Sequence, residues 1–278
     1  AYVGTRGLQL ARGGEGGLRL NQITVDKLAL GTELQRLVDN PFFGILSGGI
    51  HASRQVSRAQ LLRRFPQFDG FGPLFSAGAA STYHALQNSF SKRLTHGLQF
   101  SGHYTWSKSM DNGESYQDAY NIRADRSITD LDITHRLAVS LMYALPIGRG
   151  KPIGGKVNKF ADLFVGGWQV DGIISYVSGN AIGISASNRT NLFSQTIRAS
   201  NDGKSAELEG ERHTRLDRWF DTSVFSPPAA FTLGNLGPRL PDVRNDGVRN
   251  WDLGLYKEFY PVEKVRVQFR AEAFNAFN

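Results

Sequence analysis

The densest group of chemistry-bearing side chains in this sequence is ADRSITDLDITHR, residues 124–136. Its Asp125, Asp130 and Asp132 could hold a calcium ion or divide general-acid and general-base work, since both tasks need clustered carboxylates. A calcium loop also needs regularly spaced Asp/Asn ligands and a turn glycine, and this segment has neither. The expectation is a carboxylate group on a solvated loop end. GGEGG (13–17) resembles a phosphate loop in glycine content only. It lacks the Lys-Ser/Thr that completes such a loop, so it is expected to be a flexible connection. The six histidines run from His51 to His213 without ligand spacing, and there are no cysteines. No HExxH or GxSxG motif occurs. The sequence therefore points away from an enzyme, and no metal or other cofactor is expected.

Composition removes further classes. The formal charge is +7, but the 32 Lys and Arg are scattered, without a basic run or an aromatic RNA-binding motif, so no nucleic-acid partner is expected. No run approaches the roughly 18 apolar residues of a membrane-spanning helix. Barrel strands, which alternate, leave only a weak hydropathy signal. The start at Ala1 shows no basic, then apolar, leader pattern, so no signal peptide is read.

The elements that would position any site are strands. In GLQFSGHYTWSKSM (97–110), Leu98, Phe100, Tyr104 and Trp106 alternate with Gln99, Ser101, His103 and Thr105. Successive strand side chains point to opposite faces, so this stretch has one oily and one polar side. The pattern recurs. Leu137, Val139, Leu141 and Tyr143 alternate with Arg136, Ala138, Ser140, Met142 and Ala144; Trp168, Val170 and Ile174 alternate with Gln169, Asp171, Ile173, Ser175 and Val177. Trp251, Leu253 and Leu255 alternate with Asp252, and Val267 and Phe269 with Arg266, Arg270 and Glu272. Across 98–106, 136–145, 168–177, 250–259 and 265–274 the oily side carries one charge, Lys257, against seven on the other. Strands are expected near 83–93, 97–107, 135–146, 167–178, 248–259 and 265–277, with AYVGTRGLQL closing another. VDKLALGTELQRLV (25–38) could hold a short helix.

If successive strands run antiparallel, three long links (about 11–81, 107–134 and 180–247) fall at one end. The shorter ones, LTHG, 146–166 and YPVEK, fall at the other. Outer-membrane barrels have that asymmetry, with short periplasmic turns and long extracellular loops. Trp106, Trp168, Trp251, Tyr143, Phe259 and Tyr260 sit near strand ends, where amphipathic rings favour a membrane interface. The oily residues are accordingly assigned to lipid, and Gln99, His103, Arg136, Asp171, Asp252, Arg266, Arg270 and Glu272 to the lumen. The turn-rich RWFDTSVFSPP (218–228) and GNLGPRLPD (234–242) suggest a shaped loop that binds a ligand or covers the mouth. The long loops are expected to have few buried contacts.

The stretches YHALQNSFSKRL, GLQFSGHYTWSKSMD, DLDITHRLAVSLMYALPIGRGK, GWQVDGIISYVSG, WFDTSVFSPP, RNWDLGLYKEF and RAEAFNAFN occur in that order. They resemble the barrel of TonB-dependent outer-membrane receptors, in particular the Oar-like subgroup that carries a carboxypeptidase-regulatory-like N-terminal domain. The resemblance implies a barrel of about 22 strands with a plugged lumen. It also implies a bacterial outer-membrane location, contact with lipid bilayer and lipopolysaccharide, and engagement of the TonB complex through an N-terminal region. The cargo would be a large or scarce solute. On this reading residues 1–278 are a piece of one receptor barrel, without plug or terminal strands. The expected fold class is all-β: part of an antiparallel transmembrane β-barrel, an open curved sheet with long extracellular loops. No ligand-binding residue can be carried over from the family. The alternatives are a passive porin-like or adhesive outer-membrane barrel and, in another class, a soluble β-sandwich carbohydrate-binding module.

Overall fold

The computed structural model describes residues 1–12, 19–72, 76–113, 116–189, 197–210, 216–262 and 265–277. GGEGG lies outside the described residues. Seven long strands form the main sheet: β1 (Tyr2–Ala11), β2 (Ala77–Thr95), β3 (Leu98–Asp111), β4 (His135–Ala144), β5 (Trp168–Val177), β6 (Val248–Val262) and β7 (Val265–Ala273). Each pairs antiparallel with its neighbours in chain order, without a crossover. The short strand Ser127–Ile128 adds to the far end of β3. The sheet is open among the described residues, with β1 and β7 at its edges.

Period-2 patterning and abundant aromatic and β-branched residues make these segments strands. Turn chemistry sets the register. Between β2 and β3 the two-residue loop His96-Gly97 has φ of 53° and 80°, the positive pair that a tight hairpin of this hand requires. A Cβ on Gly97 would also meet the Ala144 carbonyl oxygen at 2.6 Å, so only glycine fits beside β4. Observed strands differ from the expected ones mainly at their ends. β2 begins well before 83, β4 stops at Ala144, and β7 stops at Ala273. The expected helix within 25–38 is a 3-10 stretch, Val25–Gln35, interrupted at Gly31, whose φ of 55° and ψ of −132° no helix accommodates.

The hydrophobic core lies in the loops, not on the sheet. Of the buried hydrophobic residues, only Ala79 and Ala85 come from the seven long strands. Ile23, Leu28, Leu34 and Ala59 of the first long link close on Ile197 of the third. Ala206, Val224, Leu240 and Val243 form a second cluster with Trp219, Phe220 and Phe225 around it. Tyr116 and Ala119 of the second link pack on Leu20 of the first. The expectation of loops with few buried contacts is overturned. Segments with no periodicity of their own bury apolar side chains against one another, which a sequence pattern cannot reveal.

Candidate membrane face and its loop cap

Strand pairing decides which side chains share a face, because paired residues in adjacent strands point the same way. Leu98, Phe100 and Tyr104 pair with Tyr143, Leu141 and Leu137, and Trp106 with His135. Val139 and Tyr143 pair with Ile174 and Val170 of β5. Ile174, Val170 and Trp168 pair with Trp251, Leu255 and Lys257, while Leu253 faces Gly172. Lys257 and Phe259 in turn pair with Phe269 and Val267. The residues expected to face lipid therefore occupy one continuous face. Leu86 and Phe90 of β2 extend it, opposite Trp106 and Gly102. Many of its large side chains are exposed, among them Leu86, Phe90, Trp106, Trp251, Leu255 and Phe269. The charged residues that the pairing places here are Arg6, Lys92, Lys108, Arg249 and Lys257, all of them basic. No helix among the described residues is long and apolar enough to cross a membrane, which leaves crossing by strands untouched.

The opposite face gathers Gln99, His103, Arg136, Asp171, Asp252, Arg270 and Glu272. Arg266 joins them by donating to Glu258. The groups on this face bond laterally. Gln268 Nε2 donates to Glu258 at 2.9 Å, Tyr256 Oη to Glu272 at 2.7 Å, and Gln169 Nε2 to Asp171 at 2.9 Å. Ser89 Oγ lies 3.1 Å from His103 Nδ1. Met142, Ile173 and Val248 are exceptions, apolar and exposed on the polar side. The face carries both signs of charge in a row of hydrogen bonds, a surface suited to water.

At one end of the sheet the three long links form a single cap. Gln22 Nε2 donates to the Gln117 carbonyl at 2.8 Å, and Gln22 Oε1 accepts from Ala119 N at 2.9 Å. Gln117 continues the chain of bonds, donating to Gly234 O at 2.9 Å and accepting from Arg198 N at 2.8 Å. Two side-chain amides thus join all three links, supplying the partners that buried backbone groups require. Arg198 then reaches Asp125 at 2.7 Å, with both side chains nearly sealed from solvent. Burial pushes the Asp125 carboxyl above the ordinary carboxylate range, and the Arg198 guanidinium pulls it part of the way back. A second pair, Arg244 to Asp132 at 2.5 Å, pins the cap to the sheet. Asp132 also accepts from Ser109 N at the end of β3, and Arg244 donates to Gly179 O just past β5.

These pairs correct the expectation for the carboxylate group. Asp125 and Asp132 are buried, each against its own arginine, and Asp130 lies half-exposed 3.9 Å from Arg239. The three do not converge: Asp125 and Asp132 lock the cap through separate arginines, and Asp130 faces Arg239. Among the described residues no group of His, Asp and Glu is placed to hold a metal. Gln22, Gln117, Arg198 and Arg244 carry the cap, and sequence spacing marks none of them. RWFDTSVFSPP and GNLGPRLPD supply much of the second cap cluster, so both are cap structure. A cleft of about 940 Å³ opens where the cap meets β5 and β6, lined by Tyr176, Arg244, Arg249, Asn250, Trp251 and Phe277.

A family model described as an outer membrane beta barrel domain matches residues 1–278. No curated protein and no solved structure matches the chain.

Proposed function

The chain belongs to the outer membrane beta barrel family and is a bacterial outer-membrane protein, and from that premise we propose that it forms wall and external cap of a TonB-dependent transporter. In this reading the oily face meets lipid, the polar face lines the lumen, and the cap stands outside the cell over the mouth. A large or scarce solute is captured at the cap and passed inward when the TonB complex supplies energy through an N-terminal region. The observation that carries the reading is the cap itself. Three links from successive hairpins share one core and one network of buried polar groups. Such a preformed surface suits selective capture, because ordering costs are met before the solute arrives. The resemblance of seven ordered motifs to TonB-dependent receptors supports the same reading. No step of it calls for bond-making chemistry.

The test is growth and solute uptake in cells producing the full-length protein, with and without a functional TonB complex. Uptake that disappears with TonB supports active transport. Uptake that persists, together with steady ion conductance in planar bilayers, replaces the reading with a passive pore. Surface adhesion with neither uptake nor conductance replaces it with an adhesive barrel.

A further inference from the structure

The link between β4 and β5, at the sheet end opposite the cap, is a built platform rather than a slack turn. The Asn158 side chain caps the helix Lys159–Val165 by accepting from Ala161 N at 2.8 Å. Asp162 Oδ1 accepts from Arg149 N at 2.6 Å, folding the preceding loop back onto the helix. Gly148, with φ of 123°, lies so close that a Cβ there would meet Asp162 Oδ1 and Gly166 Cα, each at 2.7 Å. The platform nevertheless leaves its apolar side bare. Phe160 and Phe164 are 73 % and 65 % exposed, and Ile153 is 56 % exposed. The two phenyl rings lie one helical turn apart at 5.6 Å and shield only each other.

Two bonds fix this helix to the oily face. Trp168 Nε1 donates to Phe164 O at 2.9 Å, and Lys257 Nζ donates to Gly166 O. Both side chains belong to the oily face, where they pair with each other, and the Lys257 ammonium sits 5.4 Å above the Trp168 ring. The helix that carries Phe160 and Phe164 is therefore fastened to the oily face at the ends of its strands. In the same segment Arg149, Lys151, Lys156 and Lys159 are all exposed, and the only acid within 145–167, Asp162, is engaged by Arg149 N. An exposed aromatic pair beside the lipid-facing wall, in a segment whose exposed charges are all cationic, suits a layer of anionic headgroups over hydrocarbon.

We propose that this segment is an interfacial anchor: Phe160 and Phe164 enter the leaflet at the short-turn end, and the four cations bind anionic phospholipid headgroups there. The inference rests on the lipid-facing reading of the sheet, and its test separates the two. The chain has no cysteine, so single cysteines give unique labelling sites. Phe160→Cys, Leu141→Cys on the oily face and Lys204→Cys on the cap, each carrying an environment-sensitive fluorophore, are folded into vesicles of phosphatidylethanolamine with phosphatidylglycerol or with phosphatidylcholine. The label at 160 is expected to be shielded from aqueous iodide in the anionic vesicles, while the label at 204 stays open. Replacing Lys151, Lys156 and Lys159 by Glu reopens it, each lysine weakening attachment on the order of fivefold. A label at 160 as open as that at 204, with 141 shielded, overturns the anchor and leaves the wall intact. An open label at 141 overturns the lipid-facing reading itself. Shielding indifferent to lipid charge, or seen only with added periplasmic proteins, overturns the headgroup assignment.

Discussion

The sheet and the cap solve opposite problems. The seven long strands bury almost no hydrophobic side chain, and they display Leu86, Phe90, Trp106, Trp251, Leu255 and Phe269 outward. The cap, made of segments that a strand reading treats as connections, holds Ile23, Leu34 and Ile197 at 1 % exposure or less. In water the sheet would be unstable and the cap would be ordinary. A lipid bilayer reverses the requirement for one of them only. Between neighbours the strands satisfy their backbone groups through pairing, so on the proposed reading their oily side chains are free to match hydrocarbon. On that reading the cap stands in water and must build a core of its own. The difference teaches that burial is meaningful only relative to the solvent each region meets.

That difference also explains what the sequence could and could not reveal. Strand positions were legible because one face of each strand is held free of charge over several alternations, a signal local to about ten residues. Which residues share a face followed as well, although Lys92, Lys108 and Arg249 join Lys257 on the oily one. The cap was illegible because its contacts are distant. Asp125 reads as a solvated carboxylate when its partner, Arg198, stands 73 residues away. Gln22 and Gln117 are separated by 95 residues and look like any surface amides. The platform at 146–166 shows in the sequence only as one of the shorter links, since a seven-residue helix is too short to show a period.

The largest effect that would sharpen the comparison lies in the cap. Breaking a buried ion pair by removing one partner costs about 3 to 5 kcal/mol. Asp125→Ala is expected to loosen the cap to that extent while β1–β7 stay folded in lipid. Protease accessibility of the cap, set beside strand content from circular dichroism, checks this. Asp125→Leu combined with Arg198→Met should recover most of the loss, because an apolar pair of similar volume avoids desolvating charge. Loss of the strands together with the cap would break the comparison, since the two would then be one cooperative unit.

The next effect lies in the sheet. Arg placed at Leu141 or Leu253 is expected to cost about 2 to 4 kcal/mol of stability in lipid vesicles, as cations do on a lipid-facing wall near mid-bilayer. Arg at Ser140 or Asp252, one residue along and on the other face, should cost much less because water solvates it. Urea titration of the vesicle-folded protein measures all four. Equal damage on both faces would mean that neither faces hydrocarbon.

The smallest effect is a pH profile confined to the cap. Burial raises the Asp125 carboxyl above its ordinary value, so the folded cap binds that proton more readily than the unfolded chain. From this site, stability rises as pH falls through the raised value and levels off below the ordinary one. Asp202 and Asp221 have the opposite sign. A hydrogen bond from Lys204 lowers Asp202, and hydrogen bonds from Ser223 and Arg218 lower Asp221. Their contributions are complete above the ordinary carboxylate value and are lost as pH falls through the lowered ones. The two windows meet at the ordinary value of 3.8, so the carboxylate part of the profile should peak near there. Trp219 reports it, since its indole donates to Arg244 O inside the second cap cluster while the other three tryptophans lie in strands. Its emission, taken as the difference from a Trp219→Phe variant, is expected to show the cap more resistant to denaturant on mild acidification. Asp125→Asn should flatten that rise, and Asp221→Asn should flatten only the fall at lower pH. A cap that weakens steadily from neutrality downward would mean that Arg198 outweighs burial at Asp125, making the pair a true stabiliser of the cap.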